Sequence, residues 1–210
     1  MTLVLHCFGE SGNAWKCALA LEMAGLEWRA ERVDFFAGAT RTPEYRAVNP
    51  MGEVPALETP DGTLAQSGVI LDWIAERPGP LRLSDAAERR AALRWLLFDN
   101  HKVSGVAGPL RFNRNFLPAP KRDEAVNAFL EMRLLSALKV MDAHLAESDW
   151  LALGRLTVAD LSAAGYLFYP EPYGFRRADF PGIDAWMDRL AAAPGFALPY
   201  DLMPRALPAA

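Results

Sequence analysis

The sequence predicts an α/β domain with the element order βαβαββα, followed by an all-helical domain. Over residues 1–78, short apolar runs typical of strands alternate with apolar patterns at helical spacing. Beyond Pro78-Gly79-Pro80, which is incompatible with a helix interior, long helical patterns follow without strand alternation. We therefore predict a first domain over 1–78, a linker over 79–86 and a helical domain over 87–210.

The chain opens with a strand, a loop and a helix. Leu3 to Phe8 is a short apolar run, and Gly9-Glu10-Ser11-Gly12 follows it as a loop. From Asn13 onward, small and apolar residues repeat at three-to-four spacing, which indicates a helix. Gly25 ends this helix, because a residue without a Cβ adopts the left-handed conformation at low cost.

A second strand, a short helix and a hairpin come next. Trp28 to Phe36 alternates polar and apolar residues, and Thr42 to Val48 forms a short, irregular helix. Val54 to Glu58 and Thr63 to Gln66 are strand-like segments on either side of the turn sequence Pro60-Asp61-Gly62. These segments predict a β-hairpin.

The third helix completes the first domain. Ser67 is suited to cap it, since a serine hydroxyl accepts a hydrogen bond from a backbone N–H of the first turn. One face of the helix is predicted to be apolar: Val69, Ile70, Trp73 and Ile74.

The second domain is predicted to begin with two long helices, over 86–112 and 121–147, with Pro118 and Pro120 between them. Apolar residues lie at helical spacing along the second of these helices: Val126, Phe129, Leu130, Leu134, Leu138, Met141 and Leu145.

A further helix begins after Thr157. This threonine is a good N-cap, and Asp160 lies where its side chain can reach back to the cap. Leu156 and Leu161 have the spacing of a hydrophobic staple.

Charge and hydropathy exclude several classes of protein. The net charge is −4 and the basic residues are scattered, which argues against nucleic acid and anionic membranes as partners. No basic flank or cleavage site accompanies the apolar N-terminal run, and no segment approaches the length of a membrane span. We therefore expect a cytoplasmic protein.

The two cysteines predict no redox or metal chemistry. Cys7 and Cys17 lack C-x-x-C spacing, and the chain has only three histidines. Both cysteines lie in apolar runs, so we expect buried, free thiols and no metal site.

Four motifs carry a resemblance to a known family. They are Ser11-Gly12-Asn13, the run from Asn49 to Leu57, Gln66-Ser67, and the run from Gly154 to Asp160. In this order and at these separations they resemble the soluble, cytosolic-type glutathione S-transferase superfamily, in particular serine-type, bacterial-like members. The resemblance covers nearly the whole chain. It implies a thioredoxin-like glutathione-binding domain followed by the helical domain.

The resemblance implies that the protein activates the thiol of glutathione. A thiol with a pKa of about 8.5 is mostly protonated at neutral pH, and a hydroxyl that donates to the sulfur favours the thiolate. Ser11 lies at the position that supplies this hydroxyl in serine-type families, and a helix N-terminus follows it. Alternatively, Ser11 only caps that helix, and the Asn13 amide is the next candidate donor.

The remaining glutathione contacts are also implied by the resemblance. A cis Val54-Pro55 bond would present the valine backbone to the cysteinyl residue, although Pro55 could simply start a strand. Gln66 and Ser67 would hold the γ-glutamyl end, unless Ser67 only caps its helix. Asp99 would reach the γ-glutamyl amine across a dimer interface, unless it is an ordinary solvated acid.

The sequence departs from the family at Glu53. Relatives commonly carry a lysine there, which meets the glycyl carboxylate of glutathione. Glutamate reverses the sign of this charge, so we expect weaker glutathione binding unless Arg41 or another basic residue substitutes.

The second substrate is expected to be a small, hydrophobic electrophile. Its pocket is predicted to lie between the first loop and the helices after the linker, and to be closed by Tyr169 and Tyr173. The residues predicted to line it are Phe8, Glu10, Asn100, His101, Arg111 and Phe112. The resemblance also implies a homodimer with a detoxifying transferase activity.

Two other functions stay open at this point. The first is a non-catalytic binding or interaction protein of the same fold. The second is a thiol-disulfide or peroxide enzyme that uses its own cysteine. Cys7 lies within a predicted strand and Cys17 within a predicted helix, whereas a serine occupies the loop that faces the substrate.

Overall fold

The computed structural model describes residues 2–207 and divides them into two compact units. The first comprises residues 2–83 together with 194–207, and the second comprises 84–193. The boundary at 83/84 falls inside the predicted linker. Assigning everything after residue 86 to the helical domain was wrong, because the C-terminal residues pack on the sheet-containing unit.

The first unit is built around a four-stranded mixed sheet with the order β2-β1-β3-β4. Its strands are β1 (Leu3–Cys7), β2 (Trp28–Arg32), β3 (Ala56–Thr59) and β4 (Gly62–Ala65). Its helices are α1 (Gly12–Met23), α2 (Pro43–Val48), α3 (Ser67–Ala75) and α9 (Pro199–Leu202), with a 3-10 turn at Ala39–Arg41. The order βαβαββα and the thioredoxin-like character are confirmed.

Strand β1 is the buried centre of this sheet. It pairs in parallel with β2 and antiparallel with β3, and β3 continues into β4 as the predicted hairpin. Helix α1 is almost wholly buried, because small residues along it allow close packing. It ends before Gly25, whose φ of 67° is the predicted left-handed stop.

Helix α3 departs from its prediction in two respects. The helix begins at Ser67, with Gln66 as the N-cap residue, and no side chain caps it. Ile70 and Ile74 are buried as predicted, but Val69 is exposed. Val69 therefore does not belong to the face that packs on the sheet.

The second unit consists of helices. They are α4 (Ala86–Phe98), α5 (Ser104–Asn115), α6 (Glu124–Leu145), α7 (Val158–Ala164) and α8 (Pro181–Ala191), with 3-10 turns at Ala119–Lys121 and Arg177–Asp179. A π-helical segment, Asp99–Val103, joins α4 to α5. The helix predicted over 86–112 is therefore continuous but widened by this turn. No helix within residues 2–207 is long and apolar enough to cross a membrane.

Helix α6 buries only part of its predicted apolar set. Leu134, Leu138 and Met141 are in the core, whereas Val126 and Phe129 are exposed. The second half of the helix therefore packs on the unit, and the first half presents apolar side chains outward.

Helix α7 begins with the predicted capping box. Thr157 Oγ1 accepts a hydrogen bond from the N–H of Ala159 at 3.2 Å, and the Asp160 carboxylate accepts one from the N–H of Thr157 at 2.9 Å. Both residues are fully buried.

Candidate functional site

Strand register brings three of the sequence motifs to one end of the sheet. His6, near the end of β1, lies opposite Ala56 at the start of β3, and Ala56 lies opposite Ala65 at the end of β4. The loop after β1, the residues before β3 and the residues after β4 therefore emerge together. These are the segments that contain Ser11, Val54-Pro55 and Gln66-Ser67.

Ser11 caps helix α1, and its hydroxyl can also donate a hydrogen bond. Its Oγ accepts a hydrogen bond from the N–H of Ala14 at 3.2 Å, so the capping interpretation is confirmed. A serine hydroxyl has two acceptor positions and one proton, so a cap leaves the proton available to a sulfur atom. Capping and thiol activation are therefore compatible.

Asn13 lies in the first turn of α1 and is half-buried. Its Oδ1 is buried without a hydrogen-bond partner among the described residues. A buried amide oxygen without a partner is uncommon, so this side chain has hydrogen-bonding capacity left for a ligand.

The Val54-Pro55 peptide bond is cis, as the sequence predicted. Val54 precedes β3, and within residues 2–207 neither its N–H nor its C=O forms a hydrogen bond. Backbone groups of this kind can pair with an added extended peptide.

Glu53 is held through its backbone, and its side chain turns toward Gln66. Its carbonyl oxygen accepts hydrogen bonds from the Tyr45 hydroxyl at 2.9 Å and the Asn49 side-chain amide at 2.7 Å. Burial raises the pKa of Tyr45 to about 12, so this phenol remains a donor at neutral pH. Sequence reasoning missed these two supporting residues, although Asn49 begins one of the quoted motifs.

Gln66 joins the loop before β3 to the start of α3. Its Nε2 donates a hydrogen bond to a carboxylate oxygen of Glu53 at 3.1 Å. Gln66 has a φ of 70°, a conformation that is uncommon for a residue other than glycine. Its neighbour Ser67 is buried, and the Ser67 carbonyl accepts a weak hydrogen bond from the Cys17 thiol at 3.7 Å.

Two residues predicted to line the second-substrate pocket from the first loop are buried. Phe8 stacks on Phe35 with ring centroids 4.7 Å apart. The Glu10 carboxylate accepts hydrogen bonds from the N–H groups of Ala206 and Leu207. These predictions were wrong, because both side chains pack into the first unit.

Two more predicted site residues lie in the interior of the second unit. Asp99 is fully buried, and its carboxylate accepts hydrogen bonds from the hydroxyls of Ser104 at 2.7 Å and Ser162 at 2.6 Å. It cannot reach a partner's ligand from there. Arg111 is 1% exposed, and its guanidinium pairs with Glu171 and stacks over Tyr169. Both assignments are therefore corrected to structural roles.

The other predicted residues of the helical unit and Arg41 remain accessible. Asn100 and His101 are exposed on the π-helical segment, and Phe112 is half-buried on α5. Arg41 is exposed at the end of a 3-10 turn. Their roles in binding stay predictions.

The cysteines are buried and free, as predicted. Burial raises the pKa of both Cys7 and Cys17 to about 12. Such thiols are protonated at neutral pH and poor nucleophiles, which argues against an enzyme that uses its own cysteine. No cluster of three or more metal-binding side chains occurs in residues 2–207.

Comparison with known proteins decides the family. A family model described as the N-terminal domain of glutathione S-transferase matches residues 10–77, and one described as the C-terminal domain matches 106–194. A probable glutathione S-transferase of Oryza sativa subsp. japonica is 30% identical over 88% of this chain and 89% of its own. The chain belongs to the glutathione S-transferase superfamily.

Solved structures of this superfamily share its fold. A possible glutathione S-transferase from Rhodopseudomonas palustris has a TM-score of 0.89 and 33% identity, covering 99% of this chain and 94% of that one. A glutathione transferase from Burkholderia graminis, with two glutathione molecules bound per subunit, has a TM-score of 0.81 and 26% identity, covering 92% and 85%.

The superfamily relatives include proteins that are not named as transferases. Elongation factor 1-gamma 1 of Oryza sativa subsp. japonica is 29% identical over 93% of this chain. The chain spans about half of that relative, 48% of its length. Membership of the superfamily therefore establishes the fold and leaves the reaction to be argued from the site.

Proposed function

We propose that this protein is a serine-type glutathione transferase, which activates the thiol of glutathione for attack on a small, hydrophobic electrophile. The observation that carries the proposal is the convergence of Ser11, the Val54 backbone and Gln66-Ser67 at one end of the sheet. Each provides what one part of the tripeptide needs.

The thiol would be activated by Ser11 and by helix α1. A hydrogen bond from the hydroxyl stabilises the thiolate, and the N-terminus of a 12-residue helix adds a partial positive charge. The side-chain N–H₂ of Asn13, in the first turn of α1, is the next candidate donor. The Val54 backbone would pair with the cysteinyl residue, and Ser67 and the start of α3 would receive the γ-glutamyl carboxylate.

Two measurements test the proposal. Calorimetric titration with glutathione should show binding, and a conjugation assay with a general aromatic electrophile should show turnover. Binding with turnover supports the transferase. Absence of glutathione binding would contradict the proposal, because the three converging segments would then have no common ligand.

A second candidate function is a non-catalytic binding or interaction protein. The relatives named elongation factor 1-gamma favour it, because they match nearly the whole chain but are not named for a transferase reaction. Binding of glutathione without turnover would support this candidate.

Replacing Glu53 with lysine is expected to tighten glutathione binding roughly two- to tenfold. The substitution replaces a negative charge at the binding end of the sheet with a positive one, which attracts the glycyl carboxylate. Because Glu53 is exposed, the gain should be larger at low salt. Calorimetry at two salt concentrations measures both effects.

Glu27→Lys is the matched control for this prediction. Glu27 is also exposed but precedes β2, at the opposite end of the sheet. Glu27→Lys should therefore change the affinity for glutathione little. Glutathione with an amidated glycyl carboxylate should also gain less from Glu53→Lys. If Glu53→Lys has no effect or weakens binding, Glu53 does not face the glycyl end.

We also propose that the protein is a cytoplasmic homodimer. Apolar side chains that are 42–63% exposed lie on two helices of the second unit: Leu93 and Leu97 on α4, and Val126, Phe129 and Met132 on α6. Exposed apolar faces of this kind are typical of surfaces that bind another protein, and a second copy of the chain would cover them symmetrically.

Light scattering at micromolar concentration should therefore give the mass of two chains. Phe129→Glu should shift the protein toward a monomer, since it places a charge in the buried interface. Lys139→Glu, at an exposed position of the same helix that is already charged, is the control. A monomeric wild-type protein would contradict the proposed dimer.

A further inference from the structure

The loop that contains Ser11 is attached to the C-terminal segment, residues 199–207. The side chain of Glu10, directly before Ser11, is 1% exposed. Its carboxylate accepts hydrogen bonds from the backbone N–H of Ala206 at 2.9 Å and of Leu207 at 3.2 Å. A charged side chain is therefore buried beside the proposed activating residue, and its bonds link the loop to a distant part of the chain.

Three further hydrogen bonds hold the same segment in place. The N–H of Gly9 donates a hydrogen bond to the carbonyl of Pro204 at 2.7 Å. From the end of β2, the Arg32 guanidinium donates to the carbonyls of Arg205 at 3.1 Å and Ala206 at 3.2 Å. The segment is thus bound both to the first loop and to the neighbouring strand.

The segment approaches the loop closely at Gly9, where a larger side chain would be crowded. A Cβ on Gly9 would lie 3.1 Å from the Tyr200 ring, 3.2 Å from the Arg205 Cα and 3.3 Å from the Met203 carbonyl oxygen. Two of these three neighbours are backbone atoms, which cannot move aside as the end of a side chain can. The backbone of the loop and that of the segment are therefore in direct contact.

The Glu10 carboxylate forms strong hydrogen bonds between the first loop and residues 199–207. Hydrogen bonds from backbone N–H groups to an ionised acceptor are roughly twice as strong as neutral ones. Removing the acceptor would leave the part-buried N–H groups of Ala206 and Leu207 without this partner. Because Glu10 and Ser11 are adjacent, any loosening of Glu10 displaces the backbone that sets the direction of the Ser11 hydroxyl.

We infer that Glu10 is a positioning residue, which holds the Ser11 hydroxyl toward the glutathione sulfur by tying the first loop to residues 199–207. This inference rests on the proposed activation of glutathione by Ser11. The C-terminal segment then also has a role in positioning Ser11, because its backbone N–H groups bind the Glu10 carboxylate.

A double-mutant cycle tests the inference. The two changes are Glu10→Ala and a chain that ends after Met203, made separately and together. Each alone should raise the pKa of the bound glutathione thiol by about one unit and lower kcat about tenfold. The KM for glutathione should stay within about twofold, because the γ-glutamyl and glycyl contacts are unchanged. The thiol pKa is read from the ultraviolet absorbance of the thiolate.

The double variant shows whether Glu10 and the C-terminal segment affect the thiol through one shared interaction or independently. If Glu10 acts through the segment, the double change should be no worse than the truncation alone, since the truncation already removes the N–H groups that Glu10 binds. Additive losses would overturn the inference, as would an unchanged thiol pKa in Glu10→Ala.

Arg32→Gln is a milder test that preserves the fold. Its side chain is 44% exposed, and the change removes only the hydrogen bonds to the segment's carbonyls and a surface ion pair with Asp34. It should lower kcat about threefold and raise the pKa of the bound glutathione thiol by about half a unit. Arg29→Gln, an exposed arginine of the same strand, is the control and should change neither.

Hydrogen exchange separates failure of this inference from failure of the proposed function. In Glu10→Ala, the amide protons of Ala206 and Leu207 should exchange faster, whether or not the protein is an enzyme. Unchanged exchange would show that the tie does not exist. A wild-type protein that binds no glutathione would overturn the proposed function, and the positioning role would fall with it even if exchange is faster.

Discussion

Ser11→Ala is expected to lower turnover with an aromatic electrophile about ten- to a thousandfold, while glutathione affinity changes little. The hydroxyl acts on the sulfur, so its loss removes stabilisation of the thiolate rather than of the whole tripeptide. Steady-state kinetics and calorimetric titration measure the two quantities separately. The lost cap on α1 should also cost about 1 kcal/mol of stability, so the assays belong well below the melting temperature.

Ser136→Ala is the control, because Ser136 is an exposed serine on α6 and should have no effect on turnover. If Ser11→Ala turns over normally, the activating role passes to Asn13 or to backbone donors. If Asn13→Ala also leaves the rate unchanged, the activation scheme is wrong.

The order of elements could be predicted because each boundary has its own chemical signal. Gly25 ends α1 in the left-handed conformation, Pro60-Asp61-Gly62 forms the hairpin turn, and Thr157 with Asp160 caps α7. These signals are local, since they depend on the backbone preferences of a few neighbouring residues. The fold follows from them once the strands pair.

The predictions that failed concern which side chains are buried and which partners they contact in the folded chain. Periodicity identified an apolar face on α6 but could not show that Phe129 is exposed while Leu134 is buried. The hydrogen bond between Glu10 and the Ala206 N–H joins residues almost two hundred positions apart, and no local sequence pattern predicts it. The assignment of Asp99 to a ligand failed likewise, because the sequence does not show that the hydroxyls of Ser104 and Ser162 donate hydrogen bonds to its carboxylate.

Asp160→Ala is expected to lower the free energy of unfolding by about 3–5 kcal/mol. One carboxylate oxygen accepts hydrogen bonds from the Leu151 N–H at 2.9 Å and the Trp186 Nε1 at 3.1 Å. The other accepts from the N–H and the hydroxyl of Thr157 at 2.9 and 3.1 Å. Alanine would leave all these buried donors without an acceptor, at about 1–3 kcal/mol each before relaxation.

Urea denaturation at neutral pH measures this loss, because Asp160 is ionised there. Burial raises its pKa to about 6, against the opposing effect of the hydrogen bonds it accepts. Asp160→Asn should lie between wild type and Asp160→Ala, since the amide keeps one acceptor oxygen but turns an N–H₂ toward a donor. Asp149→Ala, an exposed acid in a surface ion pair with Arg189, should cost less than about 1 kcal/mol. If Asp160→Ala costs no more than this control, Asp160 does not join Leu151, α7 and α8 as the structure indicates.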